Sequence, residues 1–256
     1  MDVLCPGVGR NQDRLRDFLG FAARGWLAQC TPMNRPNRYQ PIHKALRAGL
    51  FDATVLVART EFADAGEATA AARTVATLLD VLDSHAHHEE EFVMPVVARQ
   101  APALIASLET EHGRLEGLQA EIRALLPRTC SEVTGERETA GQLLARALTL
   151  LVADHLRHMD REETEAMPVL WAHLTEEELD AMDGRIRASL PPERMPVMMR
   201  LMLPALSTAE SAKLLAAARA QMPPPVFAQL SGLAREVLGP ERWARTARRV
   251  GLDTAA

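Results

Sequence analysis

Aromatic residues are scarce in this 256-residue chain: they make up 4% of it, and Tyr39 is the single tyrosine. Long strands draw on Val, Ile, Tyr and Phe, which are too few here for a β-rich fold. Cysteine is nearly absent. Cys5, Cys30 and Cys130 are an odd number, lie far apart and form no CxxC, which excludes a disulfide framework and a cysteine metal site. Positive charge is in deficit, with 29 Lys+Arg against 34 Asp+Glu and a net charge of −5, so no nucleic-acid partner is expected. The one basic cluster, Arg242, Arg245, Arg248 and Arg249, reads as a solvated helix face. No apolar run is long enough to cross a bilayer, and the first residues lack a charged-then-apolar leader pattern, so a cytoplasmic protein without membrane association is expected. A glycine-rich phosphate loop and a Ser/His/Asp set are missing too, which leaves nucleotide binding and hydrolase chemistry without support.

What remains is helix-forming. The chain has 42 Ala and 35 Leu, and its 47% hydrophobic content is too high for a disordered polymer. The fold class is therefore all-α. A helix is expected over 10–30, followed by a proline-rich linker to residue 40. Pro41 then opens a helix to about Asp64, and further helices follow over 67–98, 102–127 and 136–173. Four long helices with short connections predict an up-and-down four-helix bundle over 41–174. Beyond Thr175, shorter helical segments punctuated by Pro191–Pro192, Pro204, Pro223–Pro225 and Gly239–Pro240 predict a helical C-terminal extension over 175–256 that packs on the bundle or covers one end of it. The Met195, Met198, Met199 and Met202 stripe at helical spacing reads as packing surface.

The histidines are unevenly placed: all eight lie between His43 and His173. Two segments containing them superimpose without a gap, HAHHEEEFVMPV from His85 and HMDREETEAMPV from His158, both H-x3-E-E-x3-M-P-V. A lone His precedes each, His43 by 42 residues and His112 by 46, and each lone His begins H-x2-L. The bundle therefore reads as a duplicated helix pair. Residues four apart share a helix face, so His85 with Glu89 and His158 with Glu162 can reach one point, with His43 and His112 entering from the partner helices. Six such groups left buried and unpaired would be very costly. A metal pair relieves that cost, and a mixed nitrogen and oxygen donor set suits iron, with manganese or zinc as secondary choices.

With these marks the segment 41–174 resembles the hemerythrin-like (HHE cation-binding) family of four-helix di-iron proteins. The resemblance implies that His43, His85, Glu89, His112, His158 and Glu162 ligate two iron ions, with Glu89 and Glu162 as bridges. It also implies a small-ligand function: binding of dioxygen, nitric oxide or peroxide in sensing, stress response or iron handling. The alternatives are a di-iron oxidase or oxygenase acting on a small organic substrate in a pocket walled by residues 190–240, and a metal-stabilised interaction protein. One departure stands out. Oxygen-carrying members place a second His four residues after the lone His of the third helix, where this chain has Glu116, which can ligate or leave the position to water.

His88 and His155 lie near the inner stripe as additional ligands or hydrogen-bond donors to the ligands. Tyr39, four residues before His43, is either a helix-entry packing residue or a group near the metals. His87 is expected at the surface and His173 at a helix C-terminus. Glu90 and Glu163 are expected in solvent or beside the ligands rather than on the metal.

Overall fold

The computed structural model describes residues 35–252, within which one compact unit begins at Asn37. The helix expected over 10–30 lies outside the described residues. Among the described residues every regular element is helical and there is no strand.

The bundle comprises α1 (Gln40–Arg59), α2 (Ala65–His88), α3 (Met94–Ala98), α4 (Pro102–Leu125), α5 (Thr134–Arg161) and α6 (Met167–His173). Pro41 occupies the first turn of α1, where its missing N–H leaves no bond unmade. The first helix ends at Arg59, not near Asp64, because Asp64 is the N-cap of α2. Its backbone is extended, and its side chain accepts from the N–H groups of Gly66 at 2.7 Å and Glu67 at 2.9 Å.

The segments α2–α3 and α5–α6 are each one continuous rod interrupted by a single π-helical turn, Glu89–Val93 and Glu162–Ala166. In each, the N–H of the methionine, Met94 or Met167, donates to the carbonyl five residues back, that of Glu89 or Glu162. The cause is the next residue. Pro95 and Pro168 have no N–H to give, and in an unbroken α-helix their rings would strike the carbonyl four residues earlier. The wider turn absorbs the proline without ending the rod.

Two apolar clusters fill the interior. One contains Leu46, Leu82, Leu115, Leu148, Leu151 and Met159; the other contains Tyr39, Val93, Leu108, Ala166, Met167 and Leu170. Along α1 the chain passes from Tyr39 in the second cluster to Leu46 in the first. Along α2 it runs from Leu82 to Val93, along α4 from Leu108 to Leu115, and along α5 from Met159 to Ala166. The order reverses at each helix, which is the up-and-down topology. It also leaves a polar layer between the clusters, and the duplicated motif falls in that layer on all four helices.

The C-terminal region forms α7 (Glu176–Ser189), α8 (Met195–Ala205), α9 (Thr208–Gln221) and α10 (Pro224–Val250). Thr175 with Glu178 and Ser207 with Glu210 make reciprocal capping boxes that start α7 and α9. Gly239, at φ 69°, bends α10 just before Pro240. This region extends the core: Met198, Met199, Leu203, Leu215, Leu230 and Trp243 join the first apolar cluster. The methionine stripe is thus packing, as its spacing implied.

Close approach is tightest at Gly141 on α5. A Cβ there would lie 2.3, 2.4 and 2.6 Å from three ring atoms of Phe62. Phe62 cannot easily retreat, since buried Arg137 donates to its carbonyl at 3.0 Å and to that of Ala63 at 2.6 Å. The Gly141→Ala variant gains about 1 kcal/mol of helix propensity but overpacks the ring by about 1–3 kcal/mol. A net fall in thermal midpoint is expected, and Phe62→Leu in the same background should restore part of it.

Candidate metal centre

The polar layer brings together all six residues the repeat singled out. His43, His85, Glu89 and Glu162 offer donor atoms that lie within 4.8 Å of one another, and so do Glu89, His112, His158 and Glu162. The two groups share Glu89 and Glu162. The i, i+4 relation places His85 Nε2 3.0 Å from Glu89 Oε1 and His158 Nε2 3.2 Å from Glu162 Oε1. Across the bundle, His43 Nε2 lies 3.3 Å from Glu162 and 3.9 Å from Glu89, while His112 Nε2 lies 3.7 Å from Glu89. All six are buried or nearly so.

Their chemistry fits cations. His43 Nε2, His85 Nε2, both oxygens of Glu89 and one oxygen of Glu162 are buried without a hydrogen-bond partner. Buried polar atoms in folded proteins are almost always paired, so five orphaned donor atoms in one small volume mark a place for electrophiles. His112 and His158 also face each other through Nε2 at 2.9 Å, an arrangement that uses one lone pair where a cation would use two.

The outer ring nitrogens are held by carboxylates that sequence spacing alone does not reveal. His43 donates through Nδ1 to Glu163 at 2.8 Å, and Arg47 donates to the same oxygen at 2.8 Å. On the other side His158 donates through Nδ1 to Glu111 at 2.9 Å, and Arg161 braces Glu111 in turn. His112 Nδ1 lies 3.4 Å from Glu90. In repeat terms, the second Glu of each motif orients the lone His of the opposite helix pair: Glu163 with His43, Glu90 with His112. Such partners fix the tautomer and raise the basicity of the metal-facing nitrogen. Glu111 carries no mark in the repeat. Its only cue is adjacency to His112, and its partner lies on another helix.

The chain belongs to the hemerythrin HHE cation-binding domain family, whose description matches residues 39–181. Comparison with curated proteins and with solved structures returns no match. The HHE domain is therefore a cation-binding bundle, and its candidate ligand groups are the two that share Glu89 and Glu162.

Other predicted positions separate clearly in this HHE domain. Tyr39 is buried, and its ring stacks on His43 with centroids 5.1 Å apart; burial, and then the carboxylates of Glu162 and Glu89, push its phenol well above its ordinary pKa. His88 is buried away from both donor groups, its ring 6.3 Å from that of Phe92. Glu116 is exposed and outside both groups, although it borders the cavity beside them. His155 is buried and borders the same cavity, and burial followed by the neighbouring His158 and His85 lowers its pKa to about 3. His87 is exposed, and His173 donates to the Val169 carbonyl at 2.9 Å near its helix end.

Without a cation the centre is an ion cluster. Burial lowers the His43 pKa, but the close carboxylates of Glu162, Glu163 and Glu89 outweigh it and raise the value to about 10; for His158, Glu162 and Glu111 do the same, to about 9. Burial would raise Glu89, yet His85 and His43 hold it well below the usual carboxylate range. Both imidazoles thus titrate above their unfolded value of 6.5. Their contribution to stability is complete below pH 6.5 and disappears as pH climbs through 9 and 10. Chelator-treated protein should therefore show a denaturation midpoint that declines between about pH 8 and 10 by more than in a His43→Gln variant. Cation binding must displace the same protons. Divalent-metal affinity should accordingly rise with pH, with proton release detectable by calorimetry in buffers of different ionisation enthalpy.

The bracing carboxylates carry a second expectation. Glu111→Gln and Glu163→Gln should each weaken metal affinity about 10- to 100-fold while leaving helical content unchanged. An exposed control such as Glu91→Gln should leave the affinity where it is.

Proposed function

We propose that this protein is a non-haem di-iron protein that binds a small ligand, namely dioxygen, nitric oxide or peroxide, in sensing, stress response or iron handling. The two donor groups sharing Glu89 and Glu162 support two cations bridged by carboxylates, held by His43 and His85 on one side and His112 and His158 on the other. The nitrogen and oxygen donors favour iron over softer alternatives, with manganese and zinc as competitors. When bound, an iron pair would supply redox electrons and a site for the ligand; the protein's own residues orient the imidazoles, exclude bulk water and, through His85 and His43, keep the Glu89 carboxylate well below its ordinary pKa.

The observation that carries the small-ligand reading is the size of the cavity at the centre. It has a volume of about 20 Å³, and its walls come from residues between Leu82 and Met159. That is room for about one water-sized group. An organic substrate needs a pocket of roughly 300 Å³ or more, and the oxidase reading called for walls from residues 190–240, which line no part of this cavity. The C-terminal helices instead extend the apolar core, which fits a buttressing role beside the metal-carrying segment 41–174. The setting we propose is cytoplasmic; no helix among the described residues is long and apolar enough to cross a membrane.

Purified protein reconstituted anaerobically with ferrous iron should take up two irons per chain, and His85→Ala should lower that sharply. Mixing the ferrous form with dioxygen or nitric oxide should produce a new visible absorption band within the mixing experiment. Uptake below about one metal per chain, or a spectrum indifferent to all three ligands, would sink the proposal.

A further inference from the structure

The small cavity has two polar walls that the cation groups do not use. His155, on α5 one turn before His158, is buried with Nε2 unpartnered, and Gln119, on α4 two turns after His112, is buried with Oε1 unpartnered. Both line the cavity, together with the apolar Leu82, Leu115 and Met159 and with His85, Glu89, His112 and His158 from both donor groups. Neither belongs to either group of converging ligand atoms. Two side chains with an unpartnered hydrogen-bonding atom therefore border the same water-sized space from neighbouring helices, beside the candidate ligands.

The repeat shows that packing does not require them. The position three before the motif His is His155 in the second copy and Leu82 in the first; the position seven after the lone His is Gln119 in the second copy and Leu50 in the first. Leu50 and Leu82 are fully buried core residues. The same structural places are thus filled by leucine in one half and by an imidazole and a carboxamide in the other. Leaving two buried polar atoms, His155 Nε2 and Gln119 Oε1, unpaired is unfavourable, so the second half carries a cost that the first half shows to be avoidable.

We propose that His155 and Gln119 form the binding recess for the exogenous small ligand, hydrogen-bonding its outer atom while its inner atom occupies the open position of the metal centre. This rests on the small-ligand reading and adds where that ligand sits and what selects it. The recess has room for about one water-sized outer group, so it selects a small ligand whose free end is a single hydrogen-bonding atom. Both hydrogen-bonding side chains come from the second copy of the repeat, so the two halves of the duplication contribute unequally to the recess.

The test uses the full-length iron-loaded ferric protein with azide as the probe. Azide affinity is read from the charge-transfer band, the bound azide stretch is recorded in H₂O and D₂O, and iron content is measured on every sample. His155→Leu and Gln119→Leu, which copy the first half of the repeat, should keep two irons per chain and weaken azide binding about tenfold. The deuterium sensitivity of the azide stretch should vanish in His155→Leu, and His155→Gln should recover most of the affinity. Unchanged azide affinity in both leucine variants overturns the recess. Loss of iron in His155→Leu also overturns it, because His155 would then be a metal ligand. If the iron-loaded wild-type protein binds no azide at all, the small-ligand reading itself fails, an outcome distinct from the other two.

Discussion

Six ionisable side chains meet in the interior of a helical bundle with apolar clusters on both sides, and the cost of that meeting governs the rest of the structure. Isolated charges in such a place are penalised by several kcal/mol each. The cost is offset because imidazoles and carboxylates lie side by side in the layer and because a cation can replace the protons that otherwise hold it together. The surrounding architecture keeps the atoms converged. The apolar clusters grip each helix above and below the layer, the π turns carry the rods past their prolines, and the outer carboxylates lock the rings.

Much of this is legible in the sequence because it is local. The i, i+4 spacing of His85 with Glu89 and of His158 with Glu162 is a property of the helix itself, and the gapless repeat locates the layer on all four helices. Periodicity alone overextends the first helix because it continues into a segment whose real task is to cap α2, and the Asp64-x-x-Glu67 spacing is the cue to that task. The π turns also have a cue, a proline six residues after Glu89 and after Glu162. What cannot be read depends on which helices face each other. Glu111 becomes visible only when α4 and α5 are side by side. Gln119 shows its character only against the cavity it borders. The C-terminal helices show the same limit: the methionine stripe announces a packing face but not the surface it packs on.

The duplication is close in the ligands and loose around them. Glu111 stands where the first half has Ile42, and Glu116 where it has Arg47. Arg47 neutralises the carboxylate on His43, whereas Glu116 faces outward beside the cavity. The surroundings of the two candidate ligand groups are therefore chemically unequal even though the repeat's His and Glu residues match. The cavity borders ligands of both groups, but its two buried hydrogen-bonding walls, His155 and Gln119, come from the second copy alone.

The crossed bracing has a consequence for how such a centre can be assembled. Each lone His takes its orienting carboxylate from the opposite helix pair, Glu163 for His43 and Glu90 for His112. A single helix pair thus carries an incomplete set and could close its centre only by associating with a second copy, at a concentration-dependent penalty. Joining the copies in one chain turns that encounter into an intramolecular one with an effective concentration on the order of millimolar or above. The covalent link thereby makes assembly independent of protein abundance, and it frees the two copies to diverge, because a substitution in one half is no longer imposed on the other.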